Sequence, residues 1–250
     1  GSFLSKVFPL LIYGYNSQKI SKRNYKLVAL VLVLIAIVIS GERTSTFFTF
    51  MFIIGYLFFS NEFSIKIKLI YFLSSLIILL AAISFNNDLK YRFINITMNQ
   101  FKNESGKLLF FTKVHHEQFI AGYKIFKDNK VLGVGTKLYR HYACTDQKYK
   151  SEFSCTTHPH NTYIQLLSET GLLGALIIFL IFCYTFYKVF TYSFFYNNNN
   201  LNSKKICVCM SMICFLWPIM PTGNFFNNWI SILMFANIVF YLRETLRDDI

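Results

Sequence analysis

Apolar residues in this chain fall into long runs separated by short polar stretches: 27–40, 47–59, 69–85, 172–195, 206–220 and 229–242. Each approaches or reaches the length that crosses the hydrocarbon core of a bilayer. Several stop short of twenty residues, and Ser, Thr and Gly at their ends extend them. Between 86 and 160 the pattern changes to mixed polar and apolar positions. There, residues 117–127 set Phe119, Ile120, Tyr123 and Phe126 at helical spacing, which predicts a surface-lying amphipathic helix. The pattern therefore predicts an all-α protein, a polytopic transmembrane helix bundle with a long external loop containing short helices. Residues 1–85 form transmembrane helices, 86–160 the external loop, and 161–250 the C-terminal transmembrane helices.

Composition agrees with that pattern. The chain is 54% hydrophobic and 19% aromatic, too apolar in runs too long for an ordinary soluble domain. Residues 3–13 look like a helix entered part of the way along, so further spans are expected upstream.

Charge supplies the orientation. The net charge of +13 is concentrated in Lys19, Lys22, Arg23 and Lys26, in Lys66 and Lys68, in Lys204 and Lys205, and in Arg243 and Arg247. Placing all four groups in the cytoplasm satisfies the positive-inside bias. Residues 3–13 then run inward, 27–41 outward, 45–60 inward and 67–85 outward. After the external loop, 162–195 run inward, 206–221 outward and 224–242 inward. The loop itself carries twelve Lys and Arg between Lys90 and Lys150. Long loops are exempt from the orientation rule, and this basic excess points either to an anionic partner or to a solvated surface.

Cys183, Cys207, Cys209 and Cys214 fall in apolar runs and read as small core residues. Cys144 and Cys155 bracket a polar stretch of the loop and are expected to form a disulfide in an oxidising compartment. A zinc site with His141 and His158 is the alternative, although the spacing fits no finger pattern. Gly133 and Gly135 mark a turn that needs positive φ or close backbone approach. Sequons occur at Asn95 and Asn103, and Asn197–Asn200 reads as a linker. Pro218, Pro221 and the Thr222-Gly223-Asn224 that follows read as a tight external turn, structural punctuation between the last two spans.

The segment His158-Pro159-His160-Asn161 puts two imidazoles and a rigid turn at the mouth of an apolar run. Ionisable groups at a bilayer boundary are costly and read as functional, and histidine moves protons near neutral pH. Asn161 or Thr162 is placed to cap the following helix. Glu169 lies on another face and needs a partner, for which Arg43 is a candidate. Gly171 and Gly174 suit a close-packing notch between helices. Arg43, in the short hairpin 40–45, and Arg140, before the first loop cysteine, carry guanidinium forks matched to phosphate. Two external arginines and a boundary histidine would suit a lipid diphosphate at the interface.

His160-Asn161, the nine residues Thr162 to Thr170, and Gly171-Leu172-Leu173-Gly174 together resemble the signature of the O-antigen ligase and polymerase family. The Gly133-Val134-Gly135 turn resembles the family's Gly-x-Gly element. Arg43 resembles the arginine of its Arg-x-x-x-Leu element, with Phe47 standing where the Leu would be. The resemblance implies a glycosyltransferase in the bacterial inner membrane, multi-pass, with its active face periplasmic. Its donor is a polyprenyl-diphosphate-linked glycan, and its acceptor is lipid A–core or a second lipid-linked glycan. His160, Arg43 and Arg140 are the expected catalytic residues, and His158, Asn161, Lys137 and His116 are expected to bind substrate. The lipid diphosphate is already a good leaving group, so no cofactor and no metal are expected, and no nucleic-acid partner.

Ligase is favoured over polymerase on overall likeness. A transporter is disfavoured because the polar groups gather at one face and not at the midplane. A non-catalytic scaffold would leave His160 and Arg43 as interface anchors.

Overall fold

Why the apolar runs become helices, and where each stops, is visible in a computed structural model that describes residues 2–17, 23–101, 111–195 and 199–246. Lys19 and Lys22, the Asn103 sequon, Asn197, Asn198 and Arg247 lie outside the described residues. Every regular element among the described residues is helical. In chain order these are α1 (Ser2–Ser17), α2 (Arg23–Ile39), α3 (Arg43–Phe59), α4 (Ile65–Phe85) and α5 (Asn87–Lys90). A π-turn over Tyr91–Asn95 leads into α6 (Ile96–Phe101). There follow α7 (Lys113–Asp128), α8 (Tyr139–Thr145), α9 (Thr162–Phe195), α10 (Asn199–Phe215) and α11 (Asn228–Leu246).

Two of these, α4 and α9, are long and apolar enough to cross a membrane by length and composition. Apolar stretches in α2 and α3 are shorter. Helix α4 is apolar on all sides, yet only Ser75 within it is buried. A helix with that surface suits hydrocarbon better than water. The run expected over 206–221 is cut short, since α10 ends at Phe215. Pro218 biases the residue before it away from helical geometry, and the chain stays irregular until α11.

The chain divides into two compact units. The first comprises Gly1–Asn95, Cys183–Phe215 and Leu233–Ile250, and the second Ile96–Phe182 and Leu216–Ile232. In the first unit, α1 packs on α3 and α10, and α2 packs on α3 and α4. Phe8 meets Phe52 edge-on at 5.5 Å between ring centres. Gly41, at φ +68°, ends the turn after α2 and lets the chain reverse into α3. Two lysines from the charge groups that the sequence places in short cytoplasmic loops are buried. Lys26 pairs with Glu62 at 2.7 Å, and Lys205 lies 4.8 Å above the Tyr192 ring. Tyr13 also donates to Glu244 at 2.6 Å in this interior.

The second unit is built around Ala121, Ile125, Tyr139, Ala143 and Tyr149. The amphipathic helix begins at Lys113, four residues before the sequence pattern starts it. Thr112 caps it by accepting from the His115 amide at 3.2 Å. Its inward face carries Gln118, Ala121, Gly122 and Ile125, while Ile120 and Tyr123 face outward. Gly122 lets α7 approach α9 closely, because a Cβ there would meet the Ile164 side chain at 2.5 Å. Cys144 and Cys155 are joined by a disulfide.

Candidate functional site

His160 adopts φ +53°, a left-handed conformation that side-chain-bearing residues seldom take. Such strain persists only where the surroundings impose it, and here the turn between α10 and α11 does so. The Thr222 amide donates to the His160 carbonyl at 2.8 Å. The Thr162 and Thr222 hydroxyls bond at 2.9 Å. Asn161 donates from Nδ2 to the Pro218 carbonyl at 2.7 Å, while its Oδ1 accepts from the Tyr163 and Ile164 amides at 3.0 and 3.1 Å. Asn161 is thus the cap of α9 as well as a tie to the turn. Gln165 continues the seam, donating to Asn224 at 2.8 Å and accepting from the Phe225 amide at 2.9 Å.

Three imidazoles meet at this turn. The His158 and His160 ring centres are 4.1 Å apart, and those of His115 and His160 are 5.5 Å apart. The neighbours of the outer two set their tautomers. His158 Nε2 faces the Thr222 carbonyl at 3.3 Å, which only accepts, so that nitrogen carries the proton. Its Nδ1 then accepts from the Thr157 hydroxyl at 2.9 Å. His115 Nδ1 likewise donates to Gln118 Oε1 at 3.2 Å, and its ring stacks on Phe119. Burial, reinforced by the neighbouring charges of His158 and His115, pushes the His160 pKa down to about 4. Burial lowers His158 as well, partly offset by the Thr222 carbonyl. At neutral pH His160 is therefore an uncharged imidazole with a lone pair to offer. Among the described residues, no group of three or more His, Cys, Asp or Glu is arranged to hold a metal ion.

Below the histidines α9 is not continuous. Gly171 takes φ +66° and ψ −164°, breaking the helix after nine residues. The Gly133–Gly135 turn fills the break. Val134 and Gly135 amides donate to the Ser168 and Glu169 carbonyls at 3.0 and 2.9 Å, and the Leu172 amide donates to the Lys130 carbonyl at 2.8 Å. These bonds satisfy backbone groups that the kink takes out of the helix. A Cβ on Gly171 would stand 2.6 Å from the Leu132 nitrogen. Gly171 is therefore a notch for a loop backbone and not for another helix. Gly174 would meet the Thr170 side chain of its own helix. Glu169 points into the unit, where Oε1 accepts from the Tyr139 amide and Oε2 from Gln165, both at 3.1 Å. Tyr139, whose hydroxyl donates toward the Gln118 and Ser154 carbonyls, thereby links α7, α8 and α9.

Of the residues singled out from sequence, His158, His160 and Asn161 come together in one turn. His115, not the exposed His116, completes the cluster. Arg140 opens outward from α8, and Lys137 is exposed at φ +64° just before it. Arg43, half-buried, is the first residue of α3 in the other unit. Sequence reading missed Thr222, which makes three hydrogen bonds to the His158–Thr162 segment, and the helical register that puts His115, Gln118 and Phe119 along one side of α7.

A family model described as O-Antigen ligase matches residues 28–179, a stretch that holds the Gly-x-Gly turn, the three histidines and the Gly171 break. No curated protein and no solved structure matches the chain.

Proposed function

The chain belongs to the O-antigen ligase family, and from that premise we propose that it transfers a glycan from a polyprenyl-diphosphate carrier to lipid A–core at the periplasmic face of the bacterial inner membrane. The family's membrane association and glycosyltransferase-like chemistry set the class. In this reading 1–85 and 161–250 are multi-pass spans, 172–195 among them, and 86–160 is the periplasmic loop.

The observation that carries the proposal is His160 held in a strained turn beside two histidines whose protons point elsewhere, with burial favouring its uncharged form. An imidazole with an available lone pair is suited to take the proton of an acceptor hydroxyl as its oxygen attacks the anomeric carbon. As that bond forms, the bond from the anomeric carbon to the phosphate oxygen breaks. The electron pair leaves with the lipid diphosphate. Arg43 and Arg140, expected from the family resemblance, would neutralise the charge that develops there. His158, Lys137 and His116 would contact substrate, and Asn161 would act by holding the turn.

The test is complementation. Full-length protein and His160→Ala, at equal levels, are expressed in cells lacking their own O-antigen ligase. Glycan on lipid A–core with the intact protein alone supports ligation with His160 in the site. Glycan lengthening on the polyprenyl carrier makes the protein a polymerase. Full activity in the variant removes His160 from the chemistry.

A further inference from the structure

The external segment carries an apolar tip where a soluble loop would be polar. Val131 is 62% exposed and Leu132 71%. Backbone bonds fix the tip to one level of α9, with the Lys130 carbonyl accepting from the Leu172 amide at 2.8 Å and the Val131 carbonyl from Leu173 at 3.5 Å. Leu172 and Leu173 are themselves more than half exposed. They open the 24 residues 172–195, about 36 Å of helix against about 30 Å of hydrocarbon. Tip and span therefore form one continuous apolar surface at the level where the span begins.

Cations flank that surface. Along the outward face of α7 lie Ile120, Tyr123, Lys124 and Lys127, at the spacing of a single helical stripe. Lys130 follows at the tip. The Lys127 ammonium sits 5.0 Å above the Tyr123 ring, the pairing of aromatic and cation found where hydrocarbon meets headgroups. Asp128, the acidic residue beside them, is paired with Lys148 at 2.7 Å and so does not oppose an anionic surface.

We propose that the 130–132 tip is inserted into the leaflet that α9 enters at residue 172, with Lys124, Lys127 and Lys130 held against anionic phospholipid headgroups. Apolar continuity with the span and the flanking positive charge select a bilayer as the partner. The nine residues 162–170 rise from this anchor through about 14 Å of helix, and His160 stands two residues beyond their end. The anchored tip thus keeps the histidine cluster within reach of headgroups. The proposal rests on the reading of 172–195 as a membrane span.

The full chain, with Cys183 and Cys214 replaced by Ala, is reconstituted in vesicles of phosphatidylcholine and phosphatidylglycerol. A single nitroxide is placed by Leu132→Cys, Ile177→Cys or Lys150→Cys. Its collisions with oxygen and with a water-soluble nickel chelate are compared. Position 132 is expected to resemble 177, favouring oxygen, and to differ from 150. Lys127→Glu with Lys130→Glu is expected to shift 132 toward the chelate and leave 177 unmoved. Chelate access at 132 equal to that at 150, with 177 still in lipid, overturns the insertion while leaving the span intact. Chelate access at 177 overturns the span and the insertion with it. No shift on charge reversal overturns the role of the lysines.

Discussion

Gly133 and Gly171 are packed backbone against backbone, so that a methyl group on Gly133 would stand 2.6 Å from the Gly171 nitrogen. Both take φ near +65°. Two glycines far apart in sequence thus form one joint, on which the segment carrying His160 stands.

Alanine at either glycine is expected to destabilise the protein by about 2 to 5 kcal/mol, from the positive φ together with overpacking against backbone. Gly14→Ala, in α1 with nothing within 4 Å of the new methyl, is expected to be neutral or mildly stabilising. The fraction remaining folded in detergent after graded heating measures both. Equal behaviour of the three variants would remove the joint from the account.

His160→Ala is expected to lower the transfer rate by about a hundredfold or more with little change in donor KM, the pattern of a lost general base. His115→Phe keeps a ring against Phe119 but loses the imidazole facing His160, and a smaller fall is expected. The informative readout is the acid limb of the rate profile, which should move in His115→Phe if that ring acts on His160. An unmoved limb would make His115 a packing residue.

Stability should depend on pH in a definite direction. An unfolded histidine titrates near about 6.5, whereas folded His160 is held down to about 4. Between those values the unfolded chain binds the extra proton, so stability falls as pH drops through this window and is fully present above it. His160→Gln is expected to flatten that fall in part, since His158 is shifted in the same direction. Thermal denaturation of the two proteins from pH 7 to pH 4 makes the comparison.

Asn161→Ser keeps a hydroxyl to cap α9 but loses the donor to the Pro218 carbonyl. Activity is expected to fall less than in Asn161→Ala, which loses the cap too, at about 1 kcal/mol. Equal loss in both would mean that the amide itself meets substrate.

Breaking the Cys144–Cys155 disulfide, with an eleven-residue separation, is expected to cost about 2 to 3 kcal/mol. Cys144→Ser with Cys155→Ser should loosen the Ser154 carbonyl that receives the Tyr139 hydroxyl. Proteolysis of the 146–155 segment, with and without reductant, reads the effect.

Much of this was legible in the chain itself because it depends on local rules. Apolar runs of spanning length at α4 and α9 announce helices for a hydrocarbon environment. The pattern from His160 to Gly174 marks the family, and the family match covers it. Gly133 and Gly135 signal positive φ without any neighbour being known. Asn161 announces a cap because the capping bond reaches only two or three residues.

Tertiary structure alone decided what depends on partners distant in sequence. Nothing local distinguishes His115 from His116; the packing of α7 against α9 at Gly122 turns one toward His160 and the other outward. Thr222 reads as part of a turn until its amide is found on the His160 carbonyl, sixty-two residues away by number. Lys26 and Lys205 read as loop charges that set orientation, and only the helices around them bury them. Gly171 looks like a helix-packing notch until a loop is seen to occupy its place. The sequence by itself marked the apolar runs that become helices and the side chains able to bear chemistry, because those properties belong to single residues and their near neighbours. Which histidines lie together was decided by the fold, because ring-to-ring distance is set by contacts between segments that no local pattern specifies.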